Sequence, residues 1–187
     1  RSLKLKQTCG HVRSQPEHRV PRIPLPTLET MNPAQRKVHD AIVSGPRGLI
    51  VGPLRAALHN PELADIWQKF GAQLRYNTVL EARHSELAIL VTARACACAF
   101  EWVQHEQQAV NAGVPLALIE AIRRDVPVEI ADAKDRAIFE YAAELHREKT
   151  VSDKVHRAVR DVYGVTGVVE LTALIGYYTL VAMTLNA

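Results

Sequence analysis

Five side chains between residues 86 and 105 carry the groups that acid–base, thiol or metal chemistry would use: Glu86, Arg94, Cys98, Glu101 and His105. On one continuous helix with about 100° per residue, the last four would fall at i, i+4, i+7 and i+11, which is a single stripe. The apolar face of this helix begins on the same side, so the stripe is expected to point inward. Buried ionisable groups are costly unless they are paired or used, so the stripe is the candidate site.

Each residue of the stripe also has an ordinary structural explanation. Cys98 among alanines is by base rate a small buried hydrophobe, and Cys96 would point about 160° away from it around a helix, which makes a poor redox pair. Glu101, one turn before His105, could orient the imidazole and raise its pKa, or could form a purely structural ion pair. Glu86 could be an exposed acid in the first helical turn. Their combination in one inward-facing stripe favours a functional site.

Zinc binding is a competing use of glutamate, cysteine and histidine side chains. The set does not match the usual structural spacings, such as C-x2-C followed by H-x3-H. Glu101 and His105 with Cys98 could supply three ligands of an open site, but this pattern is weak. We therefore predict that the site holds no metal.

The segments that must position these residues are predicted to be helical. Asn32-Pro33 and Asn60-Pro61 each supply an N-cap followed by proline at the first helical position. Gly113 suits the left-handed position that ends the central helix, and Ser152 caps a further helix that Gly164 is predicted to stop. No period-2 alternation of convincing length is present, and aromatic residues make up only 5% of the chain. The fold is predicted to be all-α.

The amino-acid composition limits which kinds of molecule the protein is expected to bind. The 187 residues are 48% hydrophobic with a net charge of +3, which is too small to indicate nucleic acid. Three cysteines are too few for a disulfide framework, so a reducing, cytoplasmic compartment is expected. The uncharged stretch 171–187 is just short of a bilayer span, and we interpret it as buried in the core or in a subunit interface. We predict no nucleic-acid or membrane partner, and self-association.

The first 30 residues differ from the rest of the chain. Six basic residues precede Ile23, and the segment from Pro21 to Pro26 contains three prolines, counting both ends. The segment has no apolar core of a secretory signal. We predict that residues 1–30 form a flexible arm and that residues 31–187 form one helical domain.

The run from Glu86 to His105 resembles the signature region of the carboxymuconolactone decarboxylase family, which also contains the AhpD-type alkylhydroperoxidases. The redox branch carries Glu-x11-Cys-x2-Cys-x3-His, whereas this sequence reads Glu86-x11-Cys98-x2-Glu101-x3-His105. Glu101 thus replaces the second cysteine, and FEWVQH is similar to the YEWxxH form of the decarboxylase-like branch. The resemblance extends from about Pro21 to Ala187 and includes GPRG at 45–48, NPELA at 60–64, LRYNT at 74–78 and GYYTLVAMTLNA at 176–187.

The resemblance implies an all-helical, AhpD-like bundle that assembles as a homo-oligomer, often a trimer or a hexamer. It also implies a site lined by Glu86, Cys98, Glu101 and His105. The implied reaction is decarboxylation of 4-carboxymuconolactone, a small-molecule substrate from the catabolism of aromatic compounds. No metal or organic cofactor is expected, because the unsaturated lactone itself can accept the electron pair.

Within that reaction, His105 held by Glu101 is the expected general acid, and Glu86 is expected to join in proton transfer or to orient His105. These three are the predicted catalytic residues.

Three further residues are expected to bind the substrate. Arg94, one helical turn before Cys98, could clamp a carboxylate, with Arg75 and Arg83 as alternatives. Cys98 and Trp102 are expected to contact the substrate beside it.

Two other classes of function stay open. A thiol-dependent, alkylhydroperoxidase-like enzyme would lack the second thiol of its cycle, and Cys98 could act alone only if it were exposed with a lowered pKa. A non-catalytic oligomer that binds a hydrophobic ligand would use the same buried pocket without turnover.

Overall fold

The computed structural model describes residues 21–187, and within this range the chain forms eight helices and no strand. The prediction of an all-α fold is confirmed. The helices are α1 (Pro33–Val43), α2 (Pro53–Ala57), α3 (Pro61–Tyr76), α4 (Ala82–Ala95), α5 (Ala99–Asn111), α6 (Leu116–Arg124), α7 (Ala133–Glu148) and α8 (Asp153–Asn186).

The capped helix starts form as predicted. The Asn32 side chain accepts from the backbone N–H of Gln35, whose own side chain accepts from the N–H of Asn32, so α1 begins with a capping box. Asn60 accepts from the N–H of Leu63 at the start of α3. Ser152 caps α8 in the same way. These bonds satisfy N–H groups that the first helical turn leaves without partners.

The predicted continuous helix over residues 80–112 is wrong, because α4 and α5 are separate helices joined at residues 96–98. Ala97 adopts a left-handed backbone with φ of 50°, and the N–H of Cys98 donates to the carbonyl of Ala93 at 2.9 Å. The two helices then pack against each other as a hairpin. On one straight helix Glu86 and His105 would lie about 28 Å apart, whereas the hairpin brings them into hydrogen-bonding contact.

The helical backbone of α8 is interrupted at Gly164, as the sequence predicted, and a second helical segment follows this residue. Gly164 has φ of 68° and ψ of −172°, so the helix is kinked at this residue and continues to Asn186. Its second half packs on α4 and α7, with Leu171, Leu174 and Ile175 almost fully buried. By length and composition alone α8 could span a membrane, but a buried core helix has the same pattern. The packing favours the core position that the sequence predicted.

Part of the predicted arm of residues 1–30 contacts the helical bundle. Residues 1–20 lie outside the described part of the chain. Residues 21–30 contact α2 and the turn after it, where Nη2 of Arg55 donates to the carbonyl of Pro26 at 3.2 Å and Nε2 of His59 lies 2.7 Å from the carbonyl of Pro24. The domain boundary at residue 30 stays a prediction.

Candidate active site

The centre of the α4–α5 hairpin holds a histidine between two carboxylates. Nδ1 of His105 lies 2.7 Å from Oε2 of Glu86, and Nε2 lies 3.4 Å from Oε2 of Glu101. All three residues are at least nine-tenths buried. The ring of Tyr178 packs edge-on against the imidazole, with ring centroids 5.0 Å apart. The structure thus brings together the three residues that the sequence predicted as catalytic.

The charges around His105 favour its protonated form. Burial by itself lowers the pKa of this imidazole, but the hydrogen bonds and negative charges of Glu101 and Glu86 outweigh burial and raise the pKa above its usual value. Burial raises the pKa of the Tyr178 hydroxyl, which stays protonated at neutral pH. The site therefore offers an acidic imidazolium and a neutral phenol as proton and hydrogen-bond donors.

A cavity of about 90 Å³ lies in front of His105. Its wall contains Glu101, His105 and Tyr178 together with Arg47 and Arg75, and apolar side chains, Tyr177 and two glutamines complete it. Glu86 lies behind His105 and does not line the cavity.

A larger cleft of about 340 Å³ lies beside residues 26–31 and also includes His39, Ile50 and Arg55. This cleft shares no lining residue with the smaller cavity. No described pair of buried acid and base groups lines it, so we take the smaller cavity as the candidate active site.

The two cationic residues of the cavity differ in their partners. Arg75 on α3 donates from Nη2 to Oε1 of Gln108 at 2.7 Å. Nε and Nη2 of Arg47 are buried and have no hydrogen-bond partner among residues 21–187. Gly71 leaves the space that Arg47 and the Tyr177 hydroxyl occupy, because a Cβ at this position would overlap both groups. The sequence offered Arg75 as an alternative clamp, whereas Arg47 was noted only within GPRG, one of the segments that carry the family resemblance.

Residues 61–144 match the family model described as the carboxymuconolactone decarboxylase family. The match covers slightly less than half of the chain and agrees with the family resemblance of the sequence. The match runs from the start of α3 into α7 and includes the Glu86–His105–Glu101 group and Arg75, whereas Arg47 lies outside it. No curated protein matches the chain.

Two residues that the sequence assigned to substrate binding lie away from the cavity. The guanidinium of Arg94 donates from Nε to the carbonyl of Arg123 at 3.2 Å and lies 3.5 Å from the carboxylate of Asp125. Trp102 donates from Nε1 to Oε2 of Glu106 at 2.9 Å. Neither residue lines the cavity, because the break after α4 removes the single stripe on which their placement was based.

Cys98 lies at the N-cap of α5 and is 2% exposed. Burial raises the pKa of its thiol, and also that of the half-buried Cys96 thiol. Cys98 does not line the cavity. A protonated, buried thiol is a weak nucleophile, so the structure places Cys98 beside the acid–base group without the properties of a redox thiol.

One group of side chains outside the cavity has ligand atoms close enough together for a metal ion: those of His84, Asp132 and Asp135 lie within 4.8 Å of one another. Asp135 already accepts two hydrogen bonds from the Arg83 guanidinium and lies 3.2 Å from Nε2 of His84. Asp132 accepts from backbone N–H groups as the cap of α7. We interpret the group as an ion-pair network that joins α4 to α7, and it also occupies Arg83, the other alternative clamp.

Proposed function

We propose that the protein is a cofactor-independent decarboxylase, or a related proton-transfer enzyme, that acts on a small carboxylated lactone such as 4-carboxymuconolactone. One observation carries this proposal: His105 has a raised pKa and lies between two buried carboxylates in the wall of a cavity that also contains arginine. The match of residues 61–144 to the carboxymuconolactone decarboxylase family supports the carboxy-lyase reaction in this proposal.

The site must perform three functions in this reaction. Loss of carbon dioxide breaks a carbon–carbon bond, and its electron pair moves through the adjacent double bond to the lactone carbonyl oxygen. The protein must bind the anionic substrate, stabilise the negative charge that develops on this oxygen, and return a proton to carbon. Because the lactone is itself the electron sink, the residues present account for every proton and electron of the reaction.

The three catalytic residues divide the proton transfer between them. Glu86 holds the Nδ1 side of the imidazole from behind, which leaves Nε2 as the proton donor toward the cavity. Nε2 lies 3.4 Å from Oε2 of Glu101, which is long for a hydrogen bond, so the Nε2 proton can be directed to a bound substrate. His105 therefore protonates the carbon directly or through Glu101, and such a general acid contributes about 10²–10⁴-fold to the rate.

Arg75 and Tyr178 stabilise the negative charges of the substrate. Arg75 is oriented by Gln108 and binds a substrate carboxylate with charge-assisted hydrogen bonds. The Tyr178 hydroxyl, which stays protonated, is a donor for the developing oxyanion. Arg75 thus takes the role for which Arg94 was predicted.

A thiol-based peroxidase is less well supported. That reaction needs an exposed thiol with a lowered pKa, whereas Cys98 is buried and its pKa is raised. A non-catalytic oligomer that binds an apolar ligand would not need an ionised histidine at the cavity wall. The assay below separates all three functions.

We further propose that the protein works in the cytoplasm as a homo-oligomer, a trimer or a hexamer as the family resemblance implies. Three apolar side chains on α8 support self-association, because Val165, Val169 and Met183 are each more than 60% exposed. Light scattering behind size-exclusion chromatography measures the number of subunits, and a monomer at all concentrations would contradict this proposal.

The direct test is the ultraviolet absorbance of 4-carboxymuconolactone incubated with the purified protein, with release of carbon dioxide measured in parallel. His105→Gln is expected to lose at least about 10²-fold in rate. His156→Gln is the matched control, because His156 is an exposed histidine on α8. No turnover by the wild type would refute the substrate, and equal turnover by His105→Gln would refute the general acid. Turnover of peroxide with a dithiol donor instead would support the thiol enzyme.

A further inference from the structure

Arg47 is a half-buried cation in the cavity wall, and two of its three side-chain nitrogen atoms are buried without a geometrically sound hydrogen bond among residues 21–187. Its Nε and Nη2 are buried without a hydrogen bond among the described residues, and no carboxylate oxygen of residues 21–187 forms an ion pair with it. Buried polar groups without partners are costly, and the cost is larger when the group carries charge. A chain that keeps such a group at a ligand cavity is expected to pair it with an anion from outside.

The surroundings of Arg47 are rich in donors. Burial raises the pKa of the neighbouring Tyr177 hydroxyl. The hydrogen-bond donors of Arg47 and Trp67 lower this pKa, so both donors lie near the phenol oxygen. Nε1 of Trp67 is also buried without a partner among the described residues. Gly71 keeps this corner open, since any side chain there would displace the phenol and the guanidinium.

The guanidinium groups of Arg47 and Arg75 enter the cavity at different positions along the axis of α3. The guanidinium of Arg47 lies against Gly71, and Arg75 follows one helical turn later. Four residues of helix rise about 6 Å, a distance that a small molecule with two carboxylates can span. Arg75 is oriented by Gln108 beside His105, whereas Arg47 has the Tyr177 hydroxyl as its neighbour and no carboxylate partner among residues 21–187.

We propose that Arg47 binds a second anionic group of the substrate, one that is not lost in the reaction, and so makes the enzyme selective for diacids over monoacids. This inference rests on the proposed function, because it concerns the same cavity. Arg47 is then a specificity-determining residue, and Arg75 binds the carboxylate nearer to His105.

The test uses equilibrium binding, which does not depend on turnover. The probes are the saturated analogue of 4-carboxymuconolactone, which lacks the double bond that accepts electrons, and its ester with the side-chain carboxylate methylated. Calorimetry with the wild-type protein is expected to show binding of the diacid about 10- to 100-fold tighter than binding of the monoester, as for one charge-assisted contact. Arg47→Gln is expected to bind both probes equally, and Arg157→Gln, an exposed arginine on α8, to keep the full preference.

Three results would overturn the assignment: equal binding of the two probes by the wild type, no binding of either, or an undiminished preference in Arg47→Gln. Arg47→Lys keeps the charge without the planar fork and should reduce the preference in part, so it decides the matter should Arg47→Gln fail to fold. Turnover assays with the wild type separate the two proposals. Preferential binding of the saturated diacid without turnover of 4-carboxymuconolactone would refute the reaction alone. Equal turnover of 4-carboxymuconolactone and its side-chain monoester would refute the role of Arg47 alone.

Discussion

Gly71 on α3 is the position where one added methyl group tests the packing behind the cavity. A Cβ there would overlap the Tyr177 hydroxyl and would lie 2.5 Å from both Cζ of Tyr177 and Nη2 of Arg47. Non-bonded heavy atoms are most stable at about 3.5–4.0 Å, so one of these groups must move. Tyr177 is 5% exposed and packs edge-on against Phe70 and Tyr178, so its ring cannot shift without disturbing both neighbours.

Two contributions of opposite sign determine the change in the free energy of unfolding of Gly71→Ala. Alanine is favoured over glycine inside a helix by about 1 kcal/mol. Overpacking a buried site costs about 1–3 kcal/mol, and overlap with a rigid aromatic ring places this substitution at the upper end. We expect a net loss of about 2 kcal/mol, which lowers Tm by about 4–8 °C for a domain of this size.

The matched control is Gly176→Ala on α8. Gly176 is exposed, and its added Cβ meets no atom within 4 Å, so only the helix preference of about 1 kcal/mol remains and Tm should rise by about 2–4 °C. Thermal unfolding of both variants, followed by circular dichroism, compares the same chemical change at two sites. Gly71→Ala should also weaken diacid binding because it displaces Arg47. A Tm at or above that of the wild type for Gly71→Ala would refute the reasoning.

Two further substitutions test the acid–base group and the thiol. Glu86→Gln removes the charge that raises the pKa of His105, so the fall in kcat/KM that the wild type shows as pH rises through the raised pKa should move to lower pH in the variant. The ion pair between Glu86 and His105 contributes stability that is fully present below the ordinary histidine pKa of about 6.5 and is lost as pH rises through the raised pKa. The difference in the free energy of unfolding between the wild type and Glu86→Gln should therefore shrink with rising pH. A constant difference would contradict the coupling. Cys98→Ser should keep the decarboxylase rate, because its thiol is protonated and lies outside the cavity, and a loss of rate in Cys98→Ser but not in Cys96→Ser would show that this assignment is wrong.

The helix starts could be predicted because they depend on neighbours in the sequence. The caps at Asn32, Asn60 and Ser152 bond to N–H groups three residues later, and such bonds form whatever the rest of the chain does. The break at Ala97 could not be predicted in the same way. The surrounding sequence ARACACA is rich in a strong helix former, and a left-handed alanine is locally unfavourable, so the packing of α5 on α4 imposes it.

The sequence by itself determined the all-helical fold and the identity of the acid–base group. Glu86, Glu101 and His105 are embedded in apolar helix-forming sequence, which predicted an inward-facing group, and buried groups of this kind must be paired. Only the tertiary structure decided which cations accompany them. Arg47 and Arg75 reach the cavity because the α4–α5 hairpin and α8 close around them, and contacts between residues distant in sequence depend on where each helix bends, not on the spacing within any one helix.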